Sequence, residues 1–197
     1  MRGPIGCLFK IAAIVLIYFG LVHLGIIDYV RDTFFSPNRE QVIEKSKEIA
    51  DLSAGDEEYR LDKNLNVAGN KVVIAEHKST KQKFVVAKLK KNDALTPEDF
   101  ETGKAKEKIT DIANKFKYKM VKIENFKVTD EGKMDISGEE RPYLRFEADA
   151  VNLPMKKIDG IVSIAQDEDG ENRIMISVNN DDKYSQIISN AFFEKLK

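Results

Sequence analysis

GNKVVIAEHKSTKQKFVVAKL (residues 69–89) holds two runs rich in β-branched residues, Val72 to Ala75 and Lys83 to Leu89. Between them stand His77-Lys78-Ser79-Thr80-Lys81-Gln82, a polar segment suited to a turn, so the pattern predicts a β-hairpin. Working forward, Thr96-Pro97-Glu98-Asp99 offers an N-cap, a first-turn proline and acids at the positive end of a helix dipole. Phe100, Ile109, Ile112, Ala113 and Phe116 then recur at helical spacing. Four strands are expected next, over Met120 to Val128, Tyr143 to Ala150, Ile158 to Ala165 and Ile174 to Val178. Asp130-Glu131-Gly132-Lys133 and Asp167-Glu168-Asp169-Gly170 read as the turns between strands. In Tyr143 to Ala150 the apolar set Leu144, Phe146 and Ala148 alternates with Tyr143, Arg145 and Glu147, which predicts one wet face. A closing helix from about Asp182 has Tyr184, Ile187, Ile188, Ala191 and Phe192 on one stripe. Strands joined by short turns run antiparallel, because a parallel crossover needs about a dozen residues. The fold class is therefore α+β, a mostly antiparallel sheet flanked by helices.

Working backward, a polar stretch through Asn64 precedes the sheet. Ser36-Pro37 starts a helix with Val42, Ile43, Ile49, Ala50 and Leu52 on a weak apolar stripe, stopped by Ser53-Ala54-Gly55. Ahead of it, Ile11 to Ile27 is a run of seventeen residues without a formal charge. As a helix it spans about 26 Å, and Ile5 to Phe9 complete the ~30 Å hydrocarbon layer if Lys10 snorkels to the headgroups. The expected organisation is an N-terminal transmembrane helix in residues 1–35, a helical or polar connector in 36–64 and a soluble domain in 65–197. A cleaved signal peptide fits less well, because Tyr18 and His23 occupy the positions where small residues are needed before a cut. Pro4-Ile5-Gly6-Cys7 precedes the apolar run rather than ending it, so it is not read as a lipidation site. Arg2, Lys10 and the short leading tail favour a cytoplasmic N-terminus and an extracytoplasmic domain. His23 is read as a neutral imidazole near the outer interface.

Composition removes several classes of function. The chain has 32 basic and 33 acidic residues; the first 35 positions take three and two, leaving 29 against 31 in the rest. That balance argues against nucleic acid as a partner. Cys7 is the sole cysteine, so the domain holds no disulfide, thiol nucleophile or cysteine-ligated zinc. His77 beside Ser79 lies in a lysine-rich turn, without the orienting acid and oxyanion hole that serine chemistry requires. Asp167 to Glu171 has the glycine of a calcium loop in the wrong place, since Gly170 is fourth rather than sixth. Adjacent Glu139 and Glu140 point apart on a strand and cannot act as a glycosidase pair. No catalytic residue, cofactor or metal set is legible.

Charge supplies the candidate surface. Lys83, Lys88, Lys90 and Lys91 gather around the second strand, with Lys78 and Lys81 in the turn before it; Lys115, Lys117 and Lys119, then Lys122, follow the long helix. Brought together by the sheet, they would form a basic face for anionic lipid, an anionic polymer or an acidic protein partner.

Three segments, GNKVVIAEHKSTKQKFVVAKL (69–89), YLRFEADA (143–150) and YSQIISNAFFEKLK (184–197), together with the order of elements, resemble the PsbP-like fold over residues 65–197. That resemblance implies a mostly non-enzymatic family, including extrinsic photosynthetic subunits, bacterial envelope proteins and a nuclear transport factor. It carries over no functional residue, and the membrane anchor departs from its plant members. The expectation is a single-pass, membrane-anchored, non-enzymatic interaction domain of the cell envelope, an accessory subunit of a membrane complex. The alternatives are a small-ligand or lipid-binding domain and a carboxylate-based hydrolase.

Overall fold

The β-branched hairpin forms as its sequence requires. In the computed structural model, which describes residues 43–44, 46–47, 57–67, 70–89, 95–114, 117–118, 121–151, 157–166 and 170–196, β2 (Asn70–His77) pairs with β3 (Lys83–Leu89). The register sets Val73 against Val86 and Ile74 against Val85. The turn is tight: His77 N–H donates to the Gln82 carbonyl (2.8 Å), and Lys81 takes a positive φ of 61°. His77 Nδ1 accepts from the Thr80 N–H (3.3 Å) and lies 2.8 Å from the Thr80 hydroxyl, so the imidazole fastens the turn.

Around this hairpin the sheet grows to eight strands. The others are β1 (Tyr59–Val67), β4 (Lys117–Tyr118), β5 (Val121–Ile136), β6 (Glu139–Val151), β7 (Lys157–Gln166) and β8 (Asn172–Asn180). Their order is β1-β2-β3-β8-β7-β6-β5-β4, and every neighbouring pair is antiparallel. Two meanders thus meet at the β3–β8 seam. Between β3 and β4 the chain makes α1 (Pro97–Glu101) and α2 (Lys104–Asn114); α3 (Gln186–Glu194) follows β8. Thr96 caps α1 as its sequence promised, exchanging bonds with the Asp99 backbone and carboxylate.

Both faces of the sheet are covered, and alternation sorts each strand between them. Ile74, Val85, Leu144, Val162 and Ile174 form one core, against which Phe100, Ile109 and Ile112 of the α1–α2 side pack. Val73, Phe84, Ile161 and Met175 form the other with Phe192, Phe193 and Leu196 at the C-terminus. There Phe84 and Phe192 stack at 4.0 Å, and Tyr59 meets Phe192 edge-on at 4.9 Å.

Four details depart from the sequence reading. Asp130 to Lys133 is not a turn but lies inside β5; the chain reverses at Ser137-Gly138, both at positive φ (57° and 81°). A two-residue loop of type I′ needs two positive φ values, which Ser137 and Gly138 supply. Gly132 serves a different purpose, since a Cβ there would lie 3.0 Å from the Tyr143 ring. The second face of β6 is wet only in part: Glu147 is exposed, but Tyr143 is buried beside the C-terminal helix and Arg145 pairs with Asp159. In α3 the inward stripe is Ser189, Phe192 and Phe193, leaving Ile187 exposed at 81%. Finally the sheet begins at Tyr59, ahead of the expected boundary at 65.

The apolar run Ile11 to Ile27 lies outside the described residues. Among those described, no helix is long and apolar enough to cross a membrane. Most of the expected helix over 36–51 is likewise outside them, although Ile43, Glu44 and Ser46 have helical backbone.

Candidate functional site

The lysines singled out in the sequence do not come together as one face. Lys83 opens β3 on the same side as Val85 and is buried. Its ammonium contacts the Glu76 carboxylate and lies 3.3 Å from Asp62 Oδ2. Both carboxylates are buried, and Arg60 bridges them at 2.7 and 3.2 Å. A register shift between Leu61 and Lys63 accompanies Asp62 in this group. Lys83 is therefore an internal tie joining β1, β2 and β3.

Lys117 is on β4, with β8, β7, β6 and β5 intervening between its strand and β3. At ~4.8 Å per strand, Lys88 and Lys117 stand about 24 Å apart along the sheet. Lys122 pairs with Glu124 at 3.2 Å, Lys78 donates to the Glu57 carbonyl at 2.8 Å, and Lys81 lies 3.5 Å from Glu76. Lys90, Lys91, Lys115 and Lys119 lie outside the described residues.

Lys88 has different company. It is the cross-strand partner of Lys71 on β2 and of Arg173 on β8. Alternation from Val73, Val86 and Met175 puts all three on the α3 side of the sheet. Three cations thus stand in register across three adjacent strands, each half-buried. Directly opposed like charges on a sheet face destabilise it unless other groups offset them. Glu171, just ahead of β8, lies 3.5 Å from the Lys88 ammonium. The sequence concealed this row, because nothing in it specifies the β3–β8 register that brings Arg173 beside Lys88. Lys71 was within reach, being two residues from Val73 on the same face.

The other polar clusters are ties within the fold. Gln82 is fully buried; its Nε2 lies 2.8–3.0 Å from the Ser189 hydroxyl, the Ser177 hydroxyl and the Ser185 carbonyl. Its Oε1 accepts from the Ser185 N–H at 2.9 Å, so this one amide fixes the start of α3. Arg145 grips Asp159 through two bonds (3.2 and 2.6 Å) and stacks over Tyr184 at 5.4 Å. The Asp159 contact pushes the guanidinium pKa further up, and burial pushes the Tyr184 phenol up as well. Burial also lifts the Tyr59 phenol to about 12, aided by the nearby Glu58 carboxylate. Glu139 contacts Arg141, and Glu140 lies 3.9 Å from Lys133. Among the described residues, no group of three His, Cys, Asp or Glu could hold a metal ion.

No family model matches this chain, and no curated protein matches it. Among solved structures it is similar to the solution structure of cyanobacterial PsbP (CyanoP) from Synechocystis sp. PCC 6803. Identity is 12% and the TM-score 0.37, covering 68% of this chain and 76% of that one.

Proposed function

We propose that this chain is a single-pass, membrane-anchored, non-enzymatic interaction domain, with its N-terminus cytoplasmic and its C-terminal domain extracytoplasmic. In this reading it serves as an accessory subunit of an envelope complex. The observation that carries the binding role is the in-register row of Lys71, Lys88 and Arg173. A linear set of cations attracts an anionic partner but offers no nucleophile or general base. The buried polar groups Gln82, Glu76, Lys83 and Asp159 are engaged in joining elements, which further favours binding over catalysis. The uncharged run Ile11 to Ile27 supports the anchor.

Topology is the test. Cys7 is the sole cysteine, and Glu140 is exposed beside the β5–β6 turn. Cells carrying the full chain with Glu140→Cys are converted to spheroplasts and treated with a membrane-impermeant maleimide. Labelling at position 140 without labelling at Cys7 is the expected result. Labelling of position 140 only after lysis overturns the extracytoplasmic placement.

A further inference from the structure

We propose that Lys83 and Asp62 join spontaneously in an intramolecular amide bond, with Glu76 moving the proton and Arg60 polarising the Asp62 carboxyl. The bond links β3 to β1 across β2, and the interaction-domain reading above neither requires nor excludes it. Three observations converge on it.

The first is enclosure. The side chains of Lys83, Asp62 and Glu76 are 8%, 5% and 6% exposed. Lys83 and Glu76 stand two residues from Val85 and Ile74, on the face those residues bury. Burial penalises charge, and passing one proton from the ammonium to a carboxylate leaves a neutral amine beside a neutral acid. Amide formation consumes that pair. The second is placement. Lys83 Nζ lies 3.3 Å from Asp62 Oδ2 and in contact with Glu76 Oε2. Holding an amine against a carboxyl in this way supplies an effective molarity of ~10⁵ M or more, and the dry site keeps out competing water. The third is a division of labour. Arg60 Nε donates to Asp62 Oδ1 at 2.7 Å, so the guanidinium faces the oxygen on which charge develops when Nζ attacks Cγ. Glu76 Oε2 makes the closer contact with the ammonium, and its Oε1 is held by Arg60 at 3.2 Å.

The step balances within the cluster. Glu76 accepts a proton from the Lys83 ammonium, Nζ attacks the Asp62 Cγ, and the C–N bond forms as the C–Oδ2 bond breaks. Oδ2 leaves as water with the two protons that the nitrogen gives up, the first of them delivered by Glu76. One ammonium and one carboxylate become one neutral amide, with no oxidant or other reactant consumed. The bond sits where it resists force. Among the described residues β1 is an edge strand paired with β2 alone, and the chain enters it at Tyr59. Tension on the segment ahead of Tyr59 peels β1 first, and a covalent link at Asp62 stops the peeling near its start.

The experiment weighs the full chain, purified in detergent, against Lys83→Arg, which keeps the cation but removes the primary amine. The unsubstituted chain should fall below its sequence mass by one water, about 18 Da, while Lys83→Arg keeps its full mass. Tandem mass spectrometry of a digest should return a branched peptide joining Lys83 to Asp62. Glu76→Gln keeps the shape of the side chain but not the proton acceptor. It should slow bond formation by about 100-fold or more, read from the bonded fraction in chains collected at intervals after synthesis. Circular dichroism monitors the fold of each variant. Should Glu76→Gln unfold, Asp62→Asn takes its place, and there the same bond should form with loss of one ammonia, about 17 Da, instead of water.

The proposal is overturned if the folded, unsubstituted chain carries its full sequence mass, or if Glu76→Gln forms the bond at an undiminished rate. A branch from Lys83 to Glu76, or one between any other residues, also overturns it. In the replacement variant, a full-mass Asp62→Asn chain does the same. Maleimide topology does not depend on the bond, so failure here leaves the anchored-domain reading standing, and the reverse holds as well.

Discussion

Lys83 and Lys88 belong to the same strand, and the sheet gives them opposite employment. Lys83 faces the α1–α2 side between two buried carboxylates, and its side chain is 8% exposed. Lys88 faces the α3 side with a cation opposite it on either neighbouring strand, and lies 3.5 Å from the Glu171 carboxylate. They stand five positions apart, an odd offset, so the pleat sends one inward to an ion pair and the other to a row of like charge. What a lysine does here is set by its cross-strand partners, since both are lysines of one strand. Glu76 opposite Lys83 makes a tie; Lys71 opposite Lys88 makes a pair of like charges.

The largest expected effect tests the first half of that contrast. Lys83→Ala leaves Asp62 and Glu76 buried with only peripheral cations, and should cost about 3–5 kcal/mol, as removal of one partner from a buried ion pair does. Urea unfolding measures it, and a loss below about 1 kcal/mol would mean that the carboxylates are solvated and the tie is superficial. Next comes the packing within the β8-to-β4 meander. Gly160 lies where a Cβ would stand 2.5 Å from the Ser177 carbonyl oxygen and 2.9 Å from the Phe146 ring. Gly160→Ala should cost about 1–3 kcal/mol in the same assay, because backbone cannot yield as a flexible side chain would.

A smaller effect comes from Asp99. Burial raises its pKa, but bonds from Lys108 and from the Thr96 hydroxyl and N–H outweigh that, so the carboxyl is held below its ordinary 3.8. A depressed folded value means that its contribution is fully present above 3.8 and is lost as pH falls through the lower folded value. Asp99→Asn should therefore lose about 1 kcal/mol at neutral pH and less under acid. An equal loss under both conditions would show that the cap acts through shape rather than charge.

Much of the frame was legible from local pattern. The β2–β3 hairpin, α2, the closing helix and the strands from Val121 onward each carry enough periodic apolar residues to announce themselves. β1 did not, because Arg60, Asp62 and Lys63 make it polar and its place depends on β2 pairing beside it. The phase of α3 was also hidden. Hydrophobicity favoured Ile187, but Gln82, distant in sequence, takes hold of Ser185 and Ser189 and turns the helix so that Ile187 faces solvent. The candidate surface failed as a cluster for the same reason. Sequence proximity grouped Lys83 with Lys88, while register separated them and joined Lys88 to Lys71 and Arg173.

The smallest expected effect on stability is the most informative about function. If Lys88 were a structural tie like Lys83, Lys88→Gln would destabilise the fold by exposing Glu171 to an unpaired surroundings. The register argues otherwise. Removing the middle charge relieves two like-charge contacts and loses the pair with Glu171, two effects of opposite sign. The expected change in urea midpoint is therefore near zero, within about 0.5 kcal/mol and in the stabilising direction if it is resolved. The same substitution removes the centre of the row and should weaken binding of the anionic partner proposed above. A variant that keeps its stability but loses its ligand separates site from scaffold at a single residue. One that loses both would make Lys88 a second Lys83, and the contrast between them would collapse.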